Sequence, residues 1–345
     1  MSALKSALLS VLRMPAITAP FASLMESRAT IFMLHRFRDD ARGVEGQNPE
    51  PMRPDLEYLR RHRYEILDLE ELVRRLGGDG PPVRRAIAFT IDDGYADQAA
   101  VAGPLFAAYD CPVTTFVTTG FLDRKLWFWW DRIEYAFLHA KRKTVQVELA
   151  ASSLVYEFGS EDARRKAQDD FTERCKLVPD ADKHAAIAAL AYGLEVELPE
   201  EAPAQYSPMS WDELRSAETK GMRFGPHTVT HPILSRVGDE QALFELKNSW
   251  DRLRAEAKNP SPVFCYPNGG RDDFGDREVR LLESIGLVGA VVGEPGYADA
   301  RALAKTTSAR YRVRRFPYPL DHPHFIQYAS GVERAKQILR REPAA

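Results

Sequence analysis

The sequence predicts an α/β protein built on a parallel sheet or barrel, and three observations favour this fold class. Short apolar runs such as 86–91 are continuous, as in strands that are buried on both faces. Helical patterns separate these runs, which is typical of βαβ units. Polar residues follow directly after three of the runs, at the carboxyl ends of strands where α/β barrels carry their active sites.

The first third of the chain alternates between strands and helices. An apolar run at 29–34 predicts the first strand, and helices are predicted at 55–62 and 69–76. The next predicted elements are a strand at 86–91, a helix at 96–109 and a strand at 113–118.

Residues 123–204 interrupt this alternation. Helical patterns dominate there, at 132–141, 161–175 and 181–192, with one β-like piece at 145–158. We interpret the segment as a mainly helical insertion into the α/β domain, with a small separate subdomain as the alternative.

The alternation resumes after the insertion. The remaining predictions are helices at 211–220, 240–258 and 276–285 and strands at 222–225, 263–266 and 288–292. The predicted organisation is an N-terminal amphipathic segment (1–27), a barrel (28–331) and a C-terminal helical tail (332–345).

The composition is that of an ordinary globular protein. The 345 residues are 44% hydrophobic and 28% charged, and the net charge of -3 gives no electrostatic case for a nucleic-acid partner. The three cysteines, Cys111, Cys175 and Cys265, are far apart and odd in number. We expect them to be small buried hydrophobes in a reducing compartment, not a disulfide framework.

The first residues of the chain have a helical apolar face made by Leu4, Leu8, Val11 and Leu12. We expect this segment to dock on the domain, with contact to a membrane surface as the alternative. The apolar run at 7–12 is too short for a secretory signal or a membrane span. The sequence therefore predicts a cytoplasmic protein, or one bound peripherally to a membrane.

Asp92 and Asp93 follow the apolar run at 86–91, within the sequence Phe-Thr-Ile-Asp-Asp-Gly. Successive side chains of a strand point to opposite faces, so one carboxylate can bind a metal while the other faces a substrate. The alternative is a simple turn, because Asp and Gly favour turns.

His227 and His231 lie four residues apart on a predicted strand-to-helix loop. With one Asp they would make three protein ligands, which leaves a coordination position open for water. Surface or capping histidines are the alternative.

A third loop, 265–270, could aim a backbone N–H at an oxyanion or be an ordinary turn.

The segment Leu126–Asp131 concentrates three of the five tryptophans. It would suit a sugar-stacking platform, but packing of the insertion onto the barrel is the favoured interpretation, because large aromatic side chains dominate cores.

Together these motifs resemble the polysaccharide deacetylase family (NodB homology domain, carbohydrate esterase family 4). Residues 89–94 resemble T-F-D-D-G, 227–231 fit H-[S/T]-x-x-H, and 267–269 resemble the end of R-x-P-Y-G. The resemblance covers about 31–331 apart from the insertion. It implies a distorted (β/α)7-type barrel with a mainly helical insertion.

The resemblance also implies roles. Asp93, His227 and His231 would bind one divalent ion, usually zinc, and Asp92 would be the general base that takes a proton from the attacking water. Pro267 and Asn268 would form a substrate-binding loop, with the Asn268 N–H stabilising the oxyanion.

Two residues depart from the family pattern, and one is Asn268, which stands in place of the tyrosine of R-x-P-Y-G. The family arginine that orients the base falls at Cys265, and Arg271 or another arginine would have to replace it. The family's late Leu-x-His motif, which supplies the general acid, is matched in form by Leu320-Asp321-His322. His324 and His35 are the rivals of His322 for that role.

The sequence thus predicts a metal-dependent hydrolase that removes N-acetyl groups from a carbohydrate and releases acetate. Its partner would be a carbohydrate substrate and not a nucleic acid, and the oligomeric state is open. The alternatives are a deacetylase of a small non-polymeric amide and a glycan-binding or scaffolding barrel with weakened catalysis.

Overall fold

The structure is a computed structural model that describes residues 19–340. Strands of continuous apolar sequence form its centre. The strands in chain order are β1 (Arg28–Leu34), β2 (Glu65–Ile66), β3 (Ala86–Ile91), β4 (Val113–Val117), β5 (Thr144–Leu149), β6 (Ser152–Glu157), β7 (Met222–Pro226), β8 (Val263–Cys265), β9 (Gly289–Val291), β10 (Ala298–Asp299) and β11 (Phe316–Pro317). The apolar face predicted for residues 4–12 lies outside the described residues.

Seven of these strands close into a barrel. The strands β1, β3, β4 and β7 pair in parallel in that order. The Ser261 N–H donates to the Phe224 carbonyl over 2.7 Å and joins β7 to the start of β8, which pairs in parallel with β9. Val313 then bridges to Val291, and β11 pairs with β1. The predicted distorted (β/α)7-type barrel is confirmed.

Helices cover the outside of this barrel. The α-helices in chain order are α1 (Arg53–Arg61), α2 (Leu69–Leu76), α3 (Gly103–Ala107), α4 (Thr119–Leu122), α5 (Trp129–Leu138), α6 (Glu161–Cys175), α7 (Asp180–Gly193), α8 (Trp211–Glu218), α9 (Asp239–Glu256), α10 (Asp276–Ile285), α11 (Ala300–Leu303), α12 (His322–Ala329) and α13 (Val332–Leu339). Short 3-10 helices lie at Ala19–Met25, Glu50–Met52, Ala204–Tyr206, Leu234–Arg236 and Thr307–Tyr311, and a π-helical turn at Gln98–Ala102.

Burial explains why the barrel strands have no alternating pattern. All residues of β3 and β4 are buried, because side chains on one face fill the barrel and those on the other face contact the helices. Phe32 and Phe89 stack at 5.7 Å between centroids inside this core. The continuous apolar runs therefore reflect burial on both faces.

The region predicted as an insertion has a hydrophobic core of its own. Phe137, Phe171 and Ile187 are fully buried there, between α5, α6 and α7. The β5–β6 hairpin closes one side, and β5 alternates exposed and buried residues as a one-sided sheet does. Trp130 packs against both this core and the barrel core, which couples the two. The boundaries 123–204 stay a prediction.

Cys111, Cys175 and Cys265 are buried free thiols, as predicted. Within residues 19–340, the structure has no helix whose length and apolar character would let it cross a membrane.

Candidate functional site

The carboxyl ends of β1, β3, β7 and β8 meet at a cavity of about 510 Å³. Its lining includes His35, Asp92, Asp93, His227, His231 and Asn268. The barrel thus brings together five predicted site residues that come from three separate loops. Pro267 is buried next to Asn268.

Asp93, His227 and His231 form a compact group of potential metal ligands. Asp93 Oδ1 lies 3.6 Å from His227 Nε2 and 3.7 Å from His231 Nε2, and the two Nε2 atoms are 3.1 Å apart. Ligand atoms on a tetrahedral zinc ion, with bonds of about 2.0–2.2 Å, are separated by about 3.3–3.6 Å. The three side chains therefore fit a zinc-sized divalent ion.

The surroundings of both histidines suit this ligand set. His227 donates its Nδ1–H to the Cys265 carbonyl over 2.7 Å, which directs Nε2 toward Asp93 and His231. His231 is held edge-on by the ring of Trp130, at 4.7 Å between centroids. Burial, followed by the nearby His227, lowers the pKa of His231 to about 3 and keeps its ring neutral, as a metal ligand requires.

A second group of potential ligands, Asp92, His227 and Cys265, lies beside the first. Its space is already used by a cation, because the Arg315 guanidinium binds Asp92 and lies 3.2 Å from Cys265 Sγ. His227 also points its protonated Nδ1 at this side. The group containing Asp93 and His231 is therefore the better metal site.

Arg315 and Asp92 form a buried bidentate ion pair. Arg315 Nη1 and Nη2 donate to the two Asp92 oxygens over 2.7 and 2.8 Å, and the side chains are 1% and 5% exposed. The Arg315 Nε–H donates to the Val292 carbonyl, which fixes the guanidinium. Burial by itself would raise the pKa of Asp92, but Arg315 outweighs it and holds that pKa well below its usual range.

Arg315 is therefore the arginine that contacts Asp92. The predicted substitute Arg271 is exposed and does not line the cavity. Nothing local marked Arg315 as functional among 47 Lys and Arg residues. Its position immediately before the short strand β11 is the one usable signal, and it becomes informative only once β11 is known to pair with β1.

Left-handed backbone conformations cluster at the site. The backbone angle φ is 94° at Asp93, 60° at His231 and 59° at Asn268. For a residue with a Cβ, a left-handed conformation costs about 1–3 kcal/mol of conformational free energy. Gln98, in the π-helical turn, stabilises the first of these bends: its Nε2 donates to the carbonyls of Asp92 and His35, and its Oε1 accepts from the Gly94 N–H. Strain of this kind is typical of functional sites.

The loop that carries both histidines is held by Glu245, a fully buried residue of α9. Its Oε2 accepts from the N–H groups of Val229 and Thr230 over 2.7 and 2.8 Å, and its Oε1 accepts from the Thr230 hydroxyl over 2.6 Å. A buried carboxylate that accepts these bonds fixes the loop between the two ligands. Glu245 is thus a positioning residue.

We expect Glu245→Gln to weaken zinc binding by about 10–100-fold, because the amide NH2 would face backbone N–H donors or the Thr230 hydroxyl. Competition with a chromogenic chelator would measure the Kd. Glu240→Gln, an exposed position on the same helix, is the control and should bind zinc as the wild type does. Equal Kd values for both variants would contradict a positioning role.

The three histidines considered as general acid lie in different places. His35 lines the cavity, with Nε2 3.8 Å from Asp92 Oδ2 and a side chain that is 48% exposed. His322 is the first residue of α12, and its Nδ1 contacts the buried carboxylate of Asp55. His324 Nδ1 lies 2.7 Å from Asp321 Oδ1.

The position of His322 does not fit the predicted role. The Leu-x-His form is matched, but Asp321 caps a helix that starts at His322 and has Pro323 in its first turn. The helix start directs the imidazole toward Asp55 on α1, and His322 is not among the residues that line the cavity. Of the three candidates, His35 is the one that the barrel places beside Asp92.

The loop that carries Asn268 packs closely against the backbone of Gly293. The Gly293 N–H donates to the Gly269 carbonyl over 2.9 Å, and a Cβ at Gly293 would collide with the Asn268 carbonyl. The close approach of the two backbone segments therefore requires glycine at position 293. It fixes the Asn268 backbone at the wall of the cavity.

The tryptophan-rich segment is divided between core and cavity. Trp127 and Phe128 are buried in the barrel core, as core packing predicts. Trp129 and Trp130 line the cavity, and Trp130 stacks on Phe128 with 4.3 Å between centroids. The indole N–H of Trp130 donates to the Tyr95 hydroxyl. The half-exposed Trp130 offers a fixed aromatic surface beside His231.

Comparisons with known proteins find a family match that includes part of this site. The model of the polysaccharide deacetylase family matches residues 178–288, which include both histidines and the loop at 265–270. No curated protein matches the chain.

Several solved structures share the fold. The Streptococcus pyogenes deacetylase PplD in complex with acetate has a TM-score of 0.57 at 17% identity, covering 88% of this chain and 99% of that one. A de-N-acetylase from Aggregatibacter actinomycetemcomitans has a TM-score of 0.52 at 12% identity, covering 86% and 96%. The BpsB deacetylase domain from Bordetella bronchiseptica has a TM-score of 0.51 at 14% identity, covering 84% and 96%.

The barrel gathers acidic and histidine side chains at the carboxyl ends of its strands, where α/β barrels carry their active sites. Over residues 178–288 the chain is therefore similar to the polysaccharide deacetylase family.

Proposed function

We propose that this protein uses one divalent ion, normally zinc, to remove N-acetyl groups from an N-acetylated carbohydrate and release acetate. The observation that carries the proposal is the convergence of Asp93, His227 and His231 beside an Asp92 that Arg315 keeps ionised. This is one metal-binding group next to one ionised carboxylate that is not among its ligands, as metal-assisted hydrolysis requires.

The ion, when bound by these three side chains, would supply a Lewis acid for the acetyl carbonyl and for water. Asp92 would accept the proton of the attacking water, and its bidentate contact with Arg315 fixes the carboxylate for this transfer. The N–H of Asn268 would donate to the developing oxyanion. The C–N bond then breaks, and the departing amine takes a proton.

We propose His35 as the donor of that proton, because it lines the same cavity as Asp92. This assignment replaces His322, whose ring contacts Asp55.

His35→Asn should lower kcat for acetate release by about 10²-fold or more, as expected for loss of a general acid. His322→Asn should change kcat much less and should mainly lower the melting temperature, because it breaks the contact between α12 and α1. Steady-state kinetics and thermal unfolding of both variants would measure this difference. The reverse ranking of the kcat values would return the role to His322.

Removing the proposed ligands should remove the metal. We expect the purified wild type to hold about one divalent ion per chain and the His227→Ala/His231→Ala variant to hold almost none, by elemental analysis. His184→Ala, an exposed histidine on α7, is the control and should keep the ion. Normal metal content in the double variant would refute the ligand assignment.

Acetate release from N-acetylglucosamine oligomers is the direct test of the proposed activity. The wild type should release acetate, lose the activity on chelation and regain it when zinc is restored. A metal-loaded protein that releases no acetate from any N-acetylated glycan would contradict the proposal and favour a glycan-binding barrel.

A further inference from the structure

A second cavity adjoins the candidate site. It has a volume of about 560 Å³ and shares Arg36, Glu45 and Glu134 with the cavity that contains Asp92 and the histidines. These three side chains lie where the two cavities adjoin, and the two cavities together are called the groove. Each part alone has the size of an ordinary ligand pocket, so the groove exceeds the space that a single sugar needs.

One wall of this groove is helix α6 of the insertion. Arg164, Gln168, Thr172 and Lys176 recur at every fourth position along it, and all four are half-buried. The first two line the second cavity and the last two line the first. At 1.5 Å of rise per residue, the row spans about 18 Å. The insertion therefore extends the site well beyond the reacting group.

The lining of the second cavity is polar and mixed in charge. Arg36 lines both cavities, and its Cζ lies 3.8 Å from the centroid of the Tyr95 ring. Its guanidinium donates hydrogen bonds to the Asp97 carboxylate and to the Gln205 carbonyl, which fix its position. The other charged groups of this cavity are Arg164, Arg165, Glu45, Glu134, Glu161 and Asp169. Donors and acceptors of both signs suit a neutral chain rich in hydroxyl and amide groups better than an acyl chain or a polyanion.

We propose that the groove binds an N-acetylated oligosaccharide and that Arg164 and Gln168 of α6 contact sugar units beyond the one that is deacetylated. This inference rests on the proposed deacetylase function and deepens it. It makes the substrate class a chain of sugars and not a monosaccharide or a small amide. The insertion then acts as the specificity element, while the barrel carries the chemistry.

Equilibrium binding tests this role without requiring turnover. The Kd of N-acetylglucosamine dimers and pentamers, in β-1,4- and β-1,6-linked series, would be measured by calorimetry for the wild type and for Arg164→Ala/Gln168→Ala. We expect the wild type to bind one pentamer series at least about tenfold more tightly than its dimer. The double variant should lose that gain and keep the dimer Kd.

Asp162→Ala/Lys166→Ala is the matched control. It removes an exposed ion pair on the same helix, away from the groove, and should bind pentamers as the wild type does. Equal binding of dimer and pentamer by the wild type, no binding of any oligomer, or wild-type pentamer binding by the Arg164→Ala/Gln168→Ala variant would overturn the inference. Length-dependent binding without any acetate release would instead contradict the proposed function and leave the groove assignment standing.

Discussion

Replacing Asp92 by asparagine should lower acetate release by about 10²–10⁴-fold while the protein keeps its metal ion. The amide cannot accept a proton from water, but it has nearly the same shape as the carboxylate. Asp93, His227 and His231 are unchanged, so the ligand set stays complete. Acetate release and elemental analysis on the same preparation would measure both quantities.

Asp40→Asn is the control for this experiment, because Asp40 is an exposed acid paired with Arg38 on the surface. It should have wild-type activity and metal content. An Asp92→Asn protein that loses its metal would indicate that Asp92 is a ligand, and one that keeps full activity would exclude it as the base.

Replacing Arg315 by methionine should have the largest effect on stability. It leaves the Asp92 carboxylate buried without its partner, and breaking a buried ion pair in this way costs about 3–5 kcal/mol. Denaturant unfolding at neutral pH would measure the loss. Arg314→Met, which removes a half-exposed pair with Glu294, is the matched control and should cost much less.

The same variant should change the pH dependence. In the wild type, Arg315 lowers the pKa of Asp92 below its unfolded value, so the stabilisation is complete at neutral pH and is lost only as the pH falls through the folded-state pKa. Without Arg315, the largest remaining effect is burial, which raises that pKa. The acid limb of kcat/KM against pH should therefore move upward in Arg315→Met. An unchanged pH profile would show that Arg315 does not set the state of the base.

A second substitution separates position from charge. In Cys265→Arg/Arg315→Met, the guanidinium would come from the β8 position that the family pattern uses, and Cys265 Sγ already lies 3.2 Å from Arg315 Nη2. We expect part of the activity lost in Arg315→Met to return. No recovery in a folded double variant would show that Asp92 needs the geometry that Arg315 provides.

Many elements could be predicted because their periodicity is unambiguous. The bounds predicted for β3, α6 and α10 agree with the structure to the residue. The helix predicted at 96–109 was wrong in detail: a π-helical turn at Gln98–Ala102 precedes the short helix Gly103–Ala107. The side chain of Gln98 bonds three backbone groups of the site, and this long-range contact leaves no periodic signal.

The alternating barrel and the local motifs that contain Asp92, Asp93, His227 and His231 could be predicted from the sequence. These could be recognised because neighbouring residues end up on one loop, so their spacing along the chain preserves their spacing in space. The partner of Asp92 and the choice between His35 and His322 could not be predicted from the sequence. Arg315 lies 223 residues from Asp92 and meets it only because β11 closes the barrel against β1. His322 has the expected local form, yet the start of α12 directs it to Asp55. These contacts arise only on folding, because ion pairs and helix packing join segments that are distant in the chain.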